Sequence, residues 1–240
     1  MNEEKLIARK ALRDGLKEIG YSVTDSEIEL FEKYMEGILS WNEKVNLTTI
    51  TEPEEFVKKH YIDSLHAIKT AEFQCAETVL DIGTGGGFPG IPLAIICPEK
   101  KFVLVDSLAK RLKIIDELVE KLGIKNVTTI HGRFEDLGNE ADLREAFDVV
   151  LSRAVAEMPV LAEYALPFVK LEGALIAYKT EGEKLDQELL QAVKAIKTLG
   201  GGMPRIKRAA DNHVLVLVDK ERKTPKAYPR KAGTPKKNPL

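Results

Sequence analysis

Apolar positions fall into two patterns along the chain. Over the first ~70 residues they recur every three or four positions, the spacing of helices buried on one side. Ala8, Ala11, Leu12, Leu16 and Ile19 form one such stripe, which Gly20 stops. Thr24 or Asp25 can cap a second helix, with Glu27 and Glu29 in its first turn and a buried face of Ile28, Phe31, Met35, Ile38 and Leu39. Pro53 opens a short helix running to Tyr61, and another from Asp63 carries Leu65, His66 and Ile68. From Thr78 the pattern changes to short β-branched runs alternating with helical stretches. The runs predict strands at 79–82, 102–106, 127–131, 147–152, 174–179 and 214–219, with helices at 91–96, 108–122, 160–170 and 183–199. Gly200-Gly201-Gly202 turns the chain into a last antiparallel hairpin. Such alternation implies a mainly parallel, doubly wound α/β sheet. A ligand is then expected at the carboxyl ends of the strands, where the strand order reverses.

Composition narrows the class. Hydrophobic residues are 44% and charged residues 31% of 240, so the chain can build a large core and is not disordered. Its longest apolar stretch, Ile91 to Cys97, is far short of the ~20 residues of a membrane span. The start, Met1-Asn2-Glu3-Glu4-Lys5, lacks the basic and then apolar regions of a secretion signal, so a cytoplasmic location is expected. Cys75 and Cys97 match no zinc signature and the four histidines are scattered, so no metal is expected. Net charge is −2, but Lys220, Arg222, Lys223, Lys226, Arg230, Lys231, Lys236 and Lys237 face a single acid, Glu221, after position 219. An acidic body with a basic, proline-bearing tail suits either a polyanion-binding arm or a solvated terminus. Three segments result: 1–72 helical, 73–219 α/β, and 220–240 the tail.

The sharpest local signal is Val79-Leu80-Asp81-Ile82-Gly83-Thr84-Gly85-Gly86-Gly87-Phe88-Pro89-Gly90. A strand running into glycines at 83, 85 and 87 makes a loop on which a ligand can lie against bare backbone. Read from Gly83, the third glycine of a dinucleotide loop would be Phe88. Asp81 at the strand end disfavours a pyrophosphate and suits a cation, such as the ammonium and sulfonium of S-adenosylmethionine. Asp106 ends the second strand, 23 residues after Gly83, where a carboxylate takes ribose hydroxyls of either cofactor. Phe134 and Glu135 follow the third strand and could read an adenine edge. The fourth strand ends in Ser152-Arg153-Ala154-Val155-Ala156, without the Asn/Asp-Pro-Pro-aromatic motif of amine methylation, and neither cysteine is placed for carbon methylation. An acceptor bearing its own lone pair remains, guanine N7 among them, and Arg153 is the group best placed to orient it.

Together these segments resemble the bacterial small-subunit ribosomal RNA guanine-N7 methyltransferases, also called the glucose-inhibited division protein B family. The likeness spans nearly the whole chain. It rests on Trp41-Asn42-Glu43-Lys44-Val45-Asn46-Leu47-Thr48, His60-Tyr61-Ile62-Asp63-Ser64-Leu65, the loop from Asp81 to Pro92, Val105 to Arg111, Ser152 to Ala156, and Thr224 to Pro235. The resemblance implies a class I S-adenosylmethionine-dependent methyltransferase: a seven-stranded Rossmann-like sheet with an N-terminal helical extension. It implies methyl transfer to N7 of a guanine in 16S ribosomal RNA, with that RNA or the small ribosomal subunit as partner. By position it implies cofactor contacts at Gly83, Phe88, Phe134, Glu135 and Arg153, and Arg153 is also the candidate catalytic residue. Gly85, Gly87 and Asp106 join them from the physical reading. Phe134 is larger than the family's usual residue, and Thr180 follows Lys179 where a glycine is expected. Trp41 reads mainly as core, and His60 and Asp63, three apart, as a pair that hydrogen-bonds to itself. A monomer is expected. The alternatives are a small-molecule methyltransferase, an NAD-dependent oxidoreductase and a non-catalytic RNA-binding protein.

Overall fold

A computed structural model describes residues 3–240. Met1 and Asn2, which open the segment read for a secretion signal, lie outside the described residues. The helical extension comprises α1 (Glu3–Glu18), α2 (Asp25–Asn42), α3 (Pro53–Phe56), α4 (Asp63–Leu65) and α5 (Ala71–Cys75). Thr24 starts α2 through a capping box: its hydroxyl accepts from Glu27 N–H while the Glu27 carboxylate accepts from Thr24 N–H. The helix begun at Pro53 widens into a π-helical turn over Val57–Ile62 and tightens to a 3₁₀ turn over His66–Lys69.

Seven strands follow: β1 (Thr78–Ile82), β2 (Lys101–Asp106), β3 (Val127–His131), β4 (Phe147–Arg153), β5 (Val169–Thr180), β6 (Arg205–Arg208) and β7 (His213–Asp219). They form one sheet in the order β3-β2-β1-β4-β5-β7-β6. The first five are parallel, and β7 runs antiparallel between β5 and β6. Helices α6 (Gly90–Ile96), α7 (Ala109–Leu122), α8 (Phe134–Leu137), α9 (Met158–Ala165), α10 (Glu183–Thr198) and α11 (Thr234–Lys237) complete the chain. The predicted helix over 160–170 stops early. Pro167 has no N–H to continue it, the chain tightens to a 3₁₀ turn at Leu166–Phe168, and β5 begins at Val169.

Alternation along the strands divides two cores. Val79, Leu104, Val149, Leu151 and Ile176 pack with the N-terminal helices, α6 and α7. Leu80, Ile82, Val105, Val150 and Ala177 pack with α9 and α10. The extension therefore covers one sheet face, and Lys59 and His60 of its π-helical turn, with Asp63 just after it, meet Arg153 at the carboxyl end of β4. The strand order reverses between β1 and β4, so the crevice falls beyond Ile82 and Ser152, which pair in register.

The basic segment after Asp219 does not lie extended. The Lys220 ammonium is buried, donates to Thr224 Oγ1 at 2.6 Å and lies 3.5 Å from Glu145 Oε1. Arg144 donates to the carbonyls of Thr224 and Tyr228 at 2.9 and 2.8 Å. Arg230 makes a bidentate pair with Glu163, itself 1% exposed at the side chain. A buried carboxylate needs such a partner, so this segment is part of the packed body.

Candidate active site

The loop after β1 is shaped by its glycines and by two carboxylates. Gly83 and Gly85 hold φ of +70° and +59°, the left-handed region in which a side chain is strained. No atom lies within 4 Å of where a Cβ would stand on Gly85, so that backbone is open to a ligand. Gly87, at φ +87°, has a further reason: a Cβ there would collide with the Tyr34 hydroxyl and Ile91. Asp106 is buried; its Oδ2 accepts from Gly85 N–H at 3.0 Å and its Oδ1 from Leu108 N–H at 2.9 Å. It pins the loop to the end of β2. Asp81 is fully buried and its Oδ2 accepts from Thr84 Oγ1 at 2.7 Å and Gly90 N–H at 2.9 Å. Its Oδ1 has no partner, and burial raises its pKa to about 7.

Phe134 and Glu135 open α8 beside the loop. The Phe134 ring approaches Gly83 and lies 5.5 Å from the Tyr164 ring. The buried Glu135 carboxylate accepts from Gly233 N–H at 2.8 Å, so a tail residue now stands against the expected adenine reader. These residues, with His131, Arg133 and Lys236, line a groove of about 770 Å³.

Arg153, at the end of β4, reaches into the extension. Its Nη1 donates to the Lys59 carbonyl at 2.9 Å and to Asp63 Oδ2 at 3.0 Å, and its Nη2 to His60 Nδ1 at 3.0 Å. Arginine only donates, so Nδ1 accepts and His60 Nε2 carries the proton toward Thr48 Oγ1, 2.7 Å away. Burial, with the Arg153 charge beside it, lowers the His60 pKa to about 3, so the ring is neutral at physiological pH. The same ring stacks on Phe88 at 4.4 Å and 8°, and the Arg153 guanidinium lies 5.5 Å from the Phe88 centroid. Asn42 positions Thr48: its Oδ1 accepts from Leu47 and Thr48 N–H, and its Nδ2 donates to the Thr48 carbonyl. The tryptophan-containing motif thus shapes the loop that meets His60, while Trp41 packs half-buried at the core's edge.

His60 and Asp63 therefore do not bond to each other as their spacing suggests; Arg153 bridges them. Asp63 Oδ1 also takes His213 Nδ1 at 2.7 Å, a long-range partner from β7 that no local motif announces. Around this network lies a cavity of about 610 Å³, lined by Ser152 to Ala156, Tyr178 to Gly182 and His213 among others. Lys179 donates to the Ala156 carbonyl at 3.0 Å and to Glu188 Oε2 at 2.6 Å, holding one wall. Val155 joins cavity to loop: its Cγ2 lies 2.5 Å from where a Cβ on Gly83 would stand.

The arrangement fits a small cationic nucleoside-like ligand on the glycine loop: an open backbone at Gly85, a carboxylate oxygen without a partner at Asp81, and a second carboxylate at Asp106. It offers a separate cavity for a second reactant one side chain away.

A family model described as "GidB: rRNA small subunit methyltransferase G" matches residues 27–216. The ribosomal RNA small subunit methyltransferase G of Desulforamulus reducens is 45% identical over 234 residues, covering 95% of this chain and 97% of that protein. Its namesake in Clostridium perfringens strain 13 is 48% identical over 227 residues, covering 92% and 94%. In fold, the chain is similar to an O-methyltransferase from Bacillus cereus solved with SAH, at 19% identity, a TM-score of 0.51, and coverage of 78% of this chain and 90% of that one.

Proposed function

The chain belongs to the GidB family, rRNA small subunit methyltransferase G, and from that premise we propose that it transfers a methyl group from S-adenosylmethionine to N7 of a guanine in 16S ribosomal RNA. It is an rRNA methyltransferase of the small subunit, and S-adenosylmethionine is its cofactor. The observation that supports the acceptor assignment is the acceptor cavity itself: it abuts the glycine loop through Val155 and holds no cysteine to attack a pyrimidine carbon.

When bound, the cofactor supplies a methyl group on a positively charged sulfur. N7 of guanine has a free lone pair at neutral pH, so no base is needed. Transfer would form one N–C bond for the one C–S bond given up, with the positive charge ending on the purine. The protein's task is alignment and exclusion of water. Gly83 and Gly85 offer backbone to the cofactor, Asp106 sets the loop and can take ribose hydroxyls, and Phe134 and Glu135 flank the adenine side. The buried carboxyl of Asp81 places a negative group near the cation. Arg153 fixes the extension against the loop by way of Phe88 and His60, which holds the acceptor's side of the crevice in place. The small subunit or its RNA is the partner, met by a monomer in the cytoplasm.

Purified protein incubated with methyl-labelled S-adenosylmethionine and small subunits lacking the modification should place label in 7-methylguanosine after digestion to nucleosides. Label in another nucleoside would overturn the acceptor assignment. Turnover on small molecules alone would favour a different methyltransferase.

The tail's charges are a second test. Truncation from Thr224 would strip partners from Glu163, Glu145 and Glu135 and so damage the fold. Exposed Lys226, Lys231 and Lys237 can instead be changed to glutamine. Affinity for the subunit should fall, and the slope of log affinity against log salt should become shallower by roughly 2, with cofactor affinity unchanged. Identical salt series for the two proteins would exclude this segment as an RNA contact.

A further inference from the structure

Four buried side-chain atoms among the described residues have no hydrogen-bond partner: both ring nitrogens of His66, Asp81 Oδ1 and Ser152 Oγ. Of the residues that carry them, Ser152 alone lines the acceptor cavity. It is the penultimate residue of β4 and 2% exposed. In register it stands between Ile82 of β1 and Ala177 of β5, which offer it only hydrocarbon side chains. The donors nearest to it are engaged. Tyr178 donates to the Ser64 carbonyl, Lys179 to Ala156 and Glu188, Arg153 to the extension, and His213 Nδ1 pairs with Asp63. A buried hydroxyl without a partner is disfavoured, and on a residue that lines a cavity a ligand atom can complete it.

We infer that Ser152 is a specificity-determining residue whose hydroxyl donates to O6 of the target guanine. The inference rests on the guanine-N7 reading above. O6 lies beside N7 on the same edge of the base. A methyl acceptor must turn that edge toward the glycine loop, and Ser152 stands beside Ile82, the residue before Gly83. The hydroxyl therefore meets the neighbour of the reacting nitrogen and fixes the direction of its lone pair. A serine hydroxyl can donate or accept, so what it registers is a polar atom on the six-position carbon.

The test pairs a protein change with a base change. Small subunits are reconstituted with RNA carrying either guanine or 2-aminopurine at the position the wild-type protein labels. 2-Aminopurine keeps N7 but lacks O6. Ser152→Ala should lower kcat/KM on guanine by about tenfold or more, leave the dissociation constant for S-adenosylmethionine within about twofold, and leave the melting temperature no lower, because no protein group loses a partner. On 2-aminopurine the wild type should be slow and the variant equally slow. Unchanged kcat/KM on guanine would overturn the assignment, as would an equal loss on both bases, which is the mark of a structural role. A large rise in the cofactor dissociation constant would place the hydroxyl on the cofactor and overturn it too. Absence of 7-methylguanosine with the wild-type protein would instead remove the underlying acceptor reading.

Discussion

Arg153→Ala is expected to slow methyl transfer on the order of a hundredfold, because a displacement of about 1 Å in an aligned pair of reactants can cost that much. The guanidinium joins three parts of the crevice. It is anchored at the end of β4, it lies against the Phe88 ring of the glycine loop, and its N–H groups reach Lys59, His60 and Asp63 of the extension. A merely superficial ion pair would contribute almost nothing, but the side chains of Arg153 and Asp63 are only 16% and 11% exposed. Removing the cation leaves Asp63 with His213 alone and should cost about 2–3 kcal/mol of stability, below the full value for a deeply buried pair because some solvent reaches it. Arg153→Lys keeps the charge and loses the fork, so it should recover part of the stability and little of the rate. The measurements are turnover under saturating cofactor and a urea midpoint. Wild-type turnover in both variants would exclude Arg153 from the site.

Local pattern carried much of this architecture and little of its wiring. The strands were readable because runs such as Val79-Leu80 and Val214-Leu215-Val216 are buried on both faces and bounded by turn residues. The glycine loop was readable because only glycine holds positive φ at Gly83 and Gly85 without strain. Periodicity is blind to contacts between residues far apart in sequence. Nothing local says that Arg153 pairs with a residue 90 positions earlier, that His213 closes the same network, or that Gly233 caps Glu135. The tail's basic residues read as a polyanion-binding arm or a solvated terminus because the carboxylates that hold it, Glu145 and Glu163, lie about 70 to 80 positions away. Ser152 gave no signal because an ordinary serine at a strand end is common; what marks it is the lack of a partner, visible only once its surroundings are known.

Asp81→Asn should make the apo protein more stable, increasingly so as pH rises. Burial lifts the Asp81 carboxyl from 3.8 to about 7, against its bonds from Thr84 and Gly90 and the Arg153 charge, which lower it. For a group whose pKa is raised on folding, the associated stability is fully present below the unfolded value and is lost as pH rises through the folded one. The wild-type protein thus loses stability from near pH 4 to just above pH 7, on the order of 4 kcal/mol in all if the full shift is realised. Asparagine keeps an oxygen for Thr84 and Gly90 and carries no charge at any of these pH values. Its advantage over the wild type should therefore grow by about 2–3 kcal/mol between pH 5 and pH 8, then level off. Urea midpoints at pH 5, 6, 7 and 8 measure it, and parallel curves for the two proteins would show that the carboxyl ionises at its ordinary pH. The carboxylate is unfavourable for folding and suited to a cation, so the same substitution should weaken S-adenosylmethionine binding most at pH 8, where the wild-type group is charged. Stability and cofactor affinity moving in opposite directions in one variant would mark Asp81 as a group retained for binding at the expense of the fold.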